Sequence, residues 1–357
     1  MSARDLRPGD GPDAGAVLSV RNLRTTLFLR QGRVGVVRGV SFSVGRGETL
    51  ALVGESGCGK TMTALSAMRL VPDPPARITE GEVWLEGTNL IDLSDREMRT
   101  VRGERMSMIF QEPLTSLDPV FSIGDQIVET VRAHRRVSRK EAKEMAVDIL
   151  REVQIPSPER RLDDYPHQLS GGMRQRVMIA IALVLDPPLL IADEPTTALD
   201  VTIQAQILDL IKEEQEQRKL SVLLITHNLA VVSRVAQRVA VMYAGEIVEE
   251  APADELFANP QHPYTQGLLR AIPNMDEERE RLLDIPGRVP DPQLLPPACL
   301  FAPRCPYAVP RSWQEHPELA ETAPGHLLRC WNPQPFEAME EVERERAAVR
   351  SAGSEGP

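Results

Sequence analysis

The sequence lacks any apolar run of the roughly 18–20 residues that a membrane-spanning helix requires. Its longest apolar stretch runs from Val177 to Leu185 and ends at Asp186-Pro187. Residues 1–15 are rich in Asp, Gly, Pro and Arg and have no apolar centre, which is not typical of a signal or transit peptide. We therefore expect the chain to stay in the cytoplasm and to reach a membrane only through partners.

Basic residues are fewer than acidic ones. The 357 residues include 41 Lys and Arg against 52 Asp and Glu, which gives a formal charge of −11. Proteins that bind nucleic acid usually present a basic face, so this balance argues against a nucleic-acid partner. Cysteine is also scarce, with four residues. In a chain expected in the cytoplasm, a metal or thiol role is more typical of such cysteines than a disulfide.

A glycine-rich segment is the first indication of chemistry. It follows the phosphate-binding pattern G-x-x-x-x-G-K-[ST]. Its residues are Gly54, Glu55, Ser56, Gly57, Cys58, Gly59, Lys60 and Thr61. An apolar, strand-like stretch precedes it and helical spacing follows, which is the context that a phosphate-binding loop (P-loop) needs.

The residue types in this loop suit a nucleoside triphosphate. Glycines let backbone N–H groups approach the phosphates closely, and the helix N-terminus adds positive potential. We expect Lys60 to reach the β- and γ-phosphates and the Thr61 hydroxyl to bind Mg²⁺. Cys58 is either a redox-sensitive thiol, because helix N-termini favour thiolates, or a small filler that points away from the phosphates.

A pair of carboxylates marks a second part of the predicted site. Residues 189–192 are apolar and lead directly into Asp193-Glu194-Pro195. A buried strand that ends in two acids suits phosphoryl transfer. We expect Asp193 to hold Mg²⁺ through water and Glu194 to orient or deprotonate the attacking water.

A third motif resembles the signature sequence of ATP-binding-cassette (ABC) ATPases. It is Leu169-Ser170-Gly171-Gly172-Met173-Arg174-Gln175. The resemblance implies that Ser170, Gly171 and Gly172 face the γ-phosphate of an ATP bound to the opposite subunit. Bare amides at a helix N-terminus favour such an anion. Outside this context, Ser-Gly-Gly would be an ordinary helix N-cap.

The remaining site residues are assigned by the same resemblance. Gln111 is similar to the Q-loop glutamine, which contacts Mg²⁺ and the attacking water near the docking site of the membrane partner. Asp200 is similar to the D-loop aspartate at the dimer interface, and His227 to the switch histidine that contacts the γ-phosphate. Phe28 is either the aromatic residue that stacks on adenine or a core residue.

The resemblance implies an α/β fold: a P-loop ABC-type ATPase with a RecA-like core, an antiparallel β-subdomain, a helical subdomain and a C-terminal extension containing Pro and Cys. The predicted parts are a flexible tail at 1–16, a nucleotide-binding domain at 17–255 with its helical subdomain at about 94–178, the extension at 256–333 and a charged tail at 334–357. Alternating strand and helix patterns up to about Pro252 agree with this fold.

The extension resembles that of a narrower group. Residues 259–265, Asn-Pro-Gln-His-Pro-Tyr-Thr, are similar to a motif in the ATPase subunits of bacterial oligopeptide, dipeptide and nickel importers. The resemblance implies an ATPase that powers uptake of di- or oligopeptides from the cytoplasmic face of the inner membrane. It implies a heterodimer with a second ATPase, two permeases and an extracytoplasmic solute-binding protein. Uptake of nickel or another small solute is the alternative, and a non-transport ABC ATPase is a distant one.

The cysteines of the extension raise a further question. Relatives with four such cysteines can bind an iron–sulfur cluster, whereas this chain has Cys299, Cys305 and Cys330, with Ser312 where another cysteine is expected. Three thiolates alone cannot form a four-thiolate cluster. The residues therefore indicate either a cluster completed by a serine or an outside ligand, or a former site that now only packs.

Overall fold

The structure is a computed structural model that describes residues 15–111, 116–197, 199–271 and 285–336. The predicted tails at 1–16 and 334–357 fall almost entirely outside the described residues. Within the described residues, no helix combines the length and apolar character needed to cross a membrane.

Strands and helices alternate along most of the described chain. The strands are, in chain order, β1 (Ala16–Leu29), β2 (Gly32–Gly45), β3 (Thr49–Val53), β4 (Ala76–Leu85), β5 (Thr88–Asn89), β6 (Met106–Ile109), β7 (Leu189–Asp193), β8 (Ser221–Thr226), β9 (Arg238–Tyr243), β10 (Glu246–Pro252), β11 (Ala320–Ala323) and β12 (His326–Leu328). The helices are α1 (Lys60–Ala67), α2 (Asp95–Val101), α3 (Ile123–His134), α4 (Arg139–Glu152), α5 (Pro158–Arg161), α6 (Gly171–Leu183), α7 (Val201–Arg218), α8 (Leu229–Val235), α9 (Ala253–Ala258) and α10 (Pro263–Arg270). The α/β class predicted from the sequence is confirmed.

The central sheet places the predicted site at one edge. Its order is β11-β12-β10-β9-β3-β8-β7-β6, and the strands from β9 to β6 run parallel. Every residue of β3, β7 and β8 is buried, as expected when both faces of a parallel sheet are covered. The carboxyl ends of β3 and β7 lead into the P-loop and the two acids, so both motifs emerge at the same edge.

A second, antiparallel sheet lies beside this core, with the order β2-β1-β4-β5. In β2, the side chains of Val40, Phe42 and Val44 are buried, whereas the residues between them are more exposed. This alternation is typical of a strand that buries one face and exposes the other. Strand β2 also reaches the P-loop side of the core, where the Arg38 N–H donates to the Gly245 carbonyl at 2.9 Å.

Helices α3 to α6 pack together around buried aliphatic side chains such as Ile127, Leu150 and Val177. Ser138 and Glu141 form a capping box at the start of α4, because each side chain accepts a hydrogen bond from the other residue's backbone N–H. One element departs from the helix-rich stretch expected at 94–178: β6 pairs with β7 in the central sheet. Its four residues are too few for their period to distinguish strand from helix.

The C-terminal extension is joined to the core sheet. Strand β12 pairs with β10 through Glu249 opposite Leu328 and Glu250 opposite Leu327. The Tyr264 side chain in α10 is fully buried in a cluster that also contains residues of β9. The fading periodicity after Pro252 did not predict these contacts, because they join segments far apart in the sequence.

Candidate active site

The P-loop connects β3 to α1 and requires glycine at two tight positions. Gly54 has φ +153°, and a Cβ there would lie 2.2 Å from the Met242 carbonyl oxygen. Gly59 has φ +108°, and its Cβ would lie 2.6 Å from the Val36 carbonyl oxygen. Because both neighbours are backbone atoms, no side-chain rotation could relieve either contact. Strands β2 and β9 therefore shape the loop from outside.

Lys60 closes the loop from within. Its side chain is buried, and its Nζ donates to the carbonyl oxygens of Gly54 at 2.8 Å and Glu55 at 3.1 Å. Ser56 and Gly57 form the exposed tip of the loop. An ammonium group held inside a ring of backbone groups in this way is placed to bind an anion that enters the loop.

Thr61 and Asp193 meet across the two motifs. The Thr61 hydroxyl donates to the Asp193 carboxylate at 3.2 Å, and Asp193 is 1% exposed. Burial above all, together with the neighbouring charge of Glu194, raises the pKa of Asp193 to about 6. A buried carboxylate beside a hydroxyl oxygen is a donor set that fits Mg²⁺.

Glu194 is the centre of a polar cluster in the site. Gln111 donates to its carboxylate from Nε2 at 3.0 Å, and Thr197 donates from its hydroxyl at 2.9 Å. The Nδ1 atom of His227 lies 3.1 Å from the other carboxylate oxygen. Burial opposes the charge of Glu194, but the hydrogen bonds of His227 and Thr197 outweigh it and lower the pKa of this carboxyl. Glu194 is thus held ionised.

The backbone of Glu194 is also unusual. Its φ of +46° lies in the left-handed region, which costs a non-glycine residue about 1–3 kcal/mol. The Glu194 N–H donates to the Ile225 carbonyl at 2.8 Å, which ties this conformation to β8. The turn directs the carboxylate toward Gln111 and His227.

Two of these features extend the sequence-based prediction. Gln111 and His227, predicted separately, converge on the same carboxylate; the amide of Gln111 contacts Glu194. Thr197 was not predicted, although its position three residues after Glu194, on a turn, is a signal for a side chain that can reach back.

The signature residues form a separate group. The Ser170 hydroxyl accepts the Met173 N–H at 3.3 Å and caps α6. The Asp200 carboxylate accepts the Ile203 N–H at 2.9 Å and caps α7. A Cβ on Gly172 would lie 2.9 Å from the Ile203 side chain, so the two helix starts pack tightly. These contacts cap helices within the subunit, and none of them reaches its own P-loop.

Phe28 lies at the end of β1 and is 42% exposed, so it is not a core residue. The guanidinium carbons of Arg33 and Arg77 lie 5.4 Å and 5.8 Å from its ring centroid. An exposed ring flanked by cations is open to stacking by a planar, electron-rich group.

The cysteines are buried or half-buried thiols. Cys299, Cys305 and Cys330 line one small cavity with Ser312. Burial raises the pKa of Cys305 to about 11 and that of Cys330 to about 12. Among the described residues, no three His, Cys, Asp or Glu side chains are grouped so that they could hold a metal ion, which gives the predicted iron–sulfur cluster no support. Cys58 is 1% exposed with its pKa raised by burial, which favours the filler interpretation.

Comparison with known proteins identifies the family. Residues 37–197 match the ABC transporter family, and residues 248–311 match the C-terminal region of oligopeptide/dipeptide transporters. A probable peptide ABC transporter ATP-binding protein of Sinorhizobium fredii is 52% identical, over 91% of this chain and 98% of that protein. This chain belongs to the ABC transporter ATP-binding proteins. The ABC ATPase is also 50% identical to the oligopeptide transport ATP-binding protein AppD of Bacillus subtilis, over 88% and 96% of the two chains.

Solved structures agree with this assignment. A dimeric ATP-binding cassette in a post-hydrolysis state, bound to ADP and Pi, is 28% identical with a TM-score of 0.59, over 66% of this chain and 98% of that chain. The cbiO1 protein of Clostridium perfringens, part of an ABC transporter complex, is 26% identical with a TM-score of 0.58, over 68% of this chain and 91% of that chain. The ABC ATPase therefore binds and hydrolyses ATP as its family does.

Proposed function

We propose that this ABC ATPase powers the uptake of di- or oligopeptides through a membrane permease. The observation that carries the catalytic part is the convergence of Gln111, Thr197 and His227 on an ionised Glu194. The peptide class is supported by relatives named as oligopeptide and dipeptide transport ATP-binding proteins. It is also supported by the match of residues 248–311 to the C-terminal region of such transporters.

The P-loop side of the site neutralises charge. Lys60 is proposed to exchange its contacts with the loop carbonyls for the β- and γ-phosphate oxygens. The Thr61 hydroxyl and the Asp193 carboxylate would hold Mg²⁺, which when bound neutralises charge that develops on the phosphates. The backbone N–H groups of the loop also point at the phosphates. Because the fold already orients these donors, they stabilise the developing charge without further reorganisation.

Glu194 is proposed as the general base. Its carboxylate accepts a proton from water while the water oxygen bonds to the γ-phosphorus and the bond to the β–γ bridging oxygen breaks. Gln111 and His227 flank the carboxylate and would orient the water between it and the phosphate. Thr197 holds one carboxylate oxygen in place, and His227 lies beside the other oxygen, which is proposed to receive the proton.

The signature residues are proposed to serve a second subunit. Ser170, Gly171 and Gly172 form the start of α6, which presents backbone N–H groups and a positive helix end. In a head-to-tail dimer, this helix start would face the γ-phosphate bound by the partner's P-loop, with Asp200 at the interface. The dimeric state of a similar solved cassette supports this arrangement. We propose a related ATPase as the partner, giving a heterodimer.

Exposed apolar side chains on either side of Gln111 in the sequence support permease docking. Phe110 is 41% exposed, Val120 is 70% exposed and Phe121 is 50% exposed. We propose that these three side chains belong to one interaction surface, because contiguous exposed apolar side chains are typical of such surfaces. Gln111 follows Phe110 directly and contacts Glu194. A permease bound here at the inner face of the membrane would therefore be coupled to Glu194 through the position of Gln111. An extracytoplasmic solute-binding protein would deliver the peptide.

Co-purification of the tagged full chain from gently solubilised membranes tests this proposal. We expect two multi-span permeases and a second ATPase, and ATP turnover that rises when the reconstituted complex receives its binding protein with peptide. Stimulation by nickel and not by peptide would refute the peptide class. Recovery only from the soluble fraction, together with ribosomes or nucleic acid, would refute the transport role.

A further inference from the structure

The C-terminal extension grips the P-loop at Glu55. The Arg304 guanidinium donates to the two Glu55 carboxylate oxygens at 2.7 Å and 3.0 Å, a two-pronged contact between residues 249 positions apart. Paired, charge-assisted hydrogen bonds of this kind are strong and directional. The second residue of the P-loop is therefore fixed by a side chain outside the minimal nucleotide-binding domain.

Arg304 is itself held rigidly. Its side chain is 4% exposed, and it donates to the carbonyl oxygens of Pro286 at 2.9 Å and Ile285 at 3.3 Å. Its guanidinium carbon lies 5.8 Å from the ring centroid of Tyr243 and 6.0 Å from that of Phe301. A buried arginine with its donors oriented in this way loses little freedom when it binds a carboxylate.

Tyr264 holds the backbone of the same P-loop residue. Its hydroxyl accepts the Glu55 N–H at 2.8 Å. The Tyr264 ring is fully buried, with its centroid 4.7 Å from that of Tyr243 and 5.5 Å from that of Phe301. The extension thus forms hydrogen bonds with both the side chain and the main chain of Glu55.

The negative charge of Glu55 explains why these contacts affect ATP binding. A carboxylate in a loop that binds a triphosphate repels the ligand, and because the Glu55 side chain is 31% exposed, solvent weakens this repulsion without removing it. Arg304 neutralises this charge and holds it on the extension side. The Glu55 carbonyl also accepts from Lys60 at 3.1 Å, so the orientation of residue 55 affects the ammonium group that is to meet the phosphates.

We propose that Arg304 and Tyr264 are positioning residues that keep the P-loop ready for ATP, so that the extension controls nucleotide affinity. This inference rests on ATP binding at the P-loop. It assigns the extension a role in the binding of ATP. Neither residue is expected to touch the nucleotide.

The test compares MgATP dissociation constants of the full chain, measured by titration calorimetry, with kcat and KM of the assembled complex. Arg304→Met should weaken binding about tenfold, equivalent to about 1.4 kcal/mol, and change kcat less than about twofold. Tyr264→Phe, which keeps the ring and removes one acceptor, should weaken binding about two- to tenfold. The double variant Arg304→Met with Glu55→Gln should bind more tightly than Arg304→Met alone, because the unpaired charge is gone.

The control is Arg311→Met in the same extension. Arg311 pairs with Glu315 at 2.8 Å on the surface, so its loss should leave ATP affinity unchanged. Should Arg304→Met fold poorly, Arg304→Lys and Tyr264→Phe carry the same test. Wild-type protein that binds no MgATP would overturn the proposed function. Wild-type binding with unchanged affinity in the Arg304 and Tyr264 variants, or no recovery on adding Glu55→Gln, would overturn this inference alone.

Discussion

Replacement of Glu194 by Gln tests the proposed chemistry most directly. The change keeps the shape of the side chain and one oxygen that the Thr197 hydroxyl can still contact. It removes the negative charge and the proton acceptor. Because the Glu194 turn is also held by its backbone bond to Ile225, the new side chain should occupy the same place.

The expected magnitude follows from the contacts of the carboxylate. A positioned general base contributes roughly 10²–10⁴ in rate, so kcat should fall by that factor, equivalent to about 3–5 kcal/mol in the activation barrier. The KM for ATP should change less than about threefold, because Lys60 and Thr61 bond to other groups. The free energy of unfolding should change by less than about 1 kcal/mol, since weaker hydrogen bonds are offset by relief from burying a charge.

The assay is phosphate release at saturating ATP in the assembled complex, paired with MgATP binding to the full chain. Thr197→Val is the matched control: it removes one hydrogen bond to the carboxylate and should reduce kcat less than about tenfold. Turnover of Glu194→Gln within about threefold of wild type would refute the general-base role. Parallel loss of ATP binding and turnover would show instead that Glu194 supports the structure of the site.

Three further predictions concern other parts of the molecule. Gly54→Ala should abolish tight ATP binding and lower the free energy of unfolding by about 2 kcal/mol or more, as measured by calorimetry and denaturation, since its Cβ would meet the Met242 carbonyl at 2.2 Å. Phe28→Ala should raise the KM for ATP about tenfold if the ring stacks on adenine, with thermal stability unchanged, and an unaltered KM would exclude stacking. His326 lies 2.8 Å from the buried Glu249 carboxylate, and this hydrogen bond is the main reason that the pKa of His326 is raised. The contribution of the pair to stability is therefore complete below about pH 6.5 and is lost as pH rises through the folded-state pKa of His326. Denaturation curves across pH should therefore lose this dependence in His326→Gln, with a cost of about 3–5 kcal/mol at low pH.

Local patterns predicted much of the fold and of the nucleotide site. The P-loop was predictable because strand, glycine turn and helix are adjacent in the sequence, and each has a distinct residue preference. The capping box at Ser138 and the turn at Ala244-Gly245, which joins β9 and β10, likewise follow from residue preferences at neighbouring positions. In each case the energetic preference operates over a few residues.

Contacts between distant segments were not predictable in the same way. The placement of β6 in the central sheet and the packing of the three cysteines into one cavity depend on which segments fold next to each other. The roles of Gln111 and His227 were assigned by their resemblance to family motifs. It did not show that both side chains meet one carboxylate.

The sequence by itself determined that this chain has the motifs of an ATPase and the extension of a peptide transporter. Those motifs are short, and their residue types are required by phosphate chemistry wherever they occur. Only the tertiary structure decided that the extension joins the core sheet through β12 and grips Glu55 through Arg304. No local preference encodes that ion pair, because it forms only when the folded chain brings residues 249 positions apart into contact.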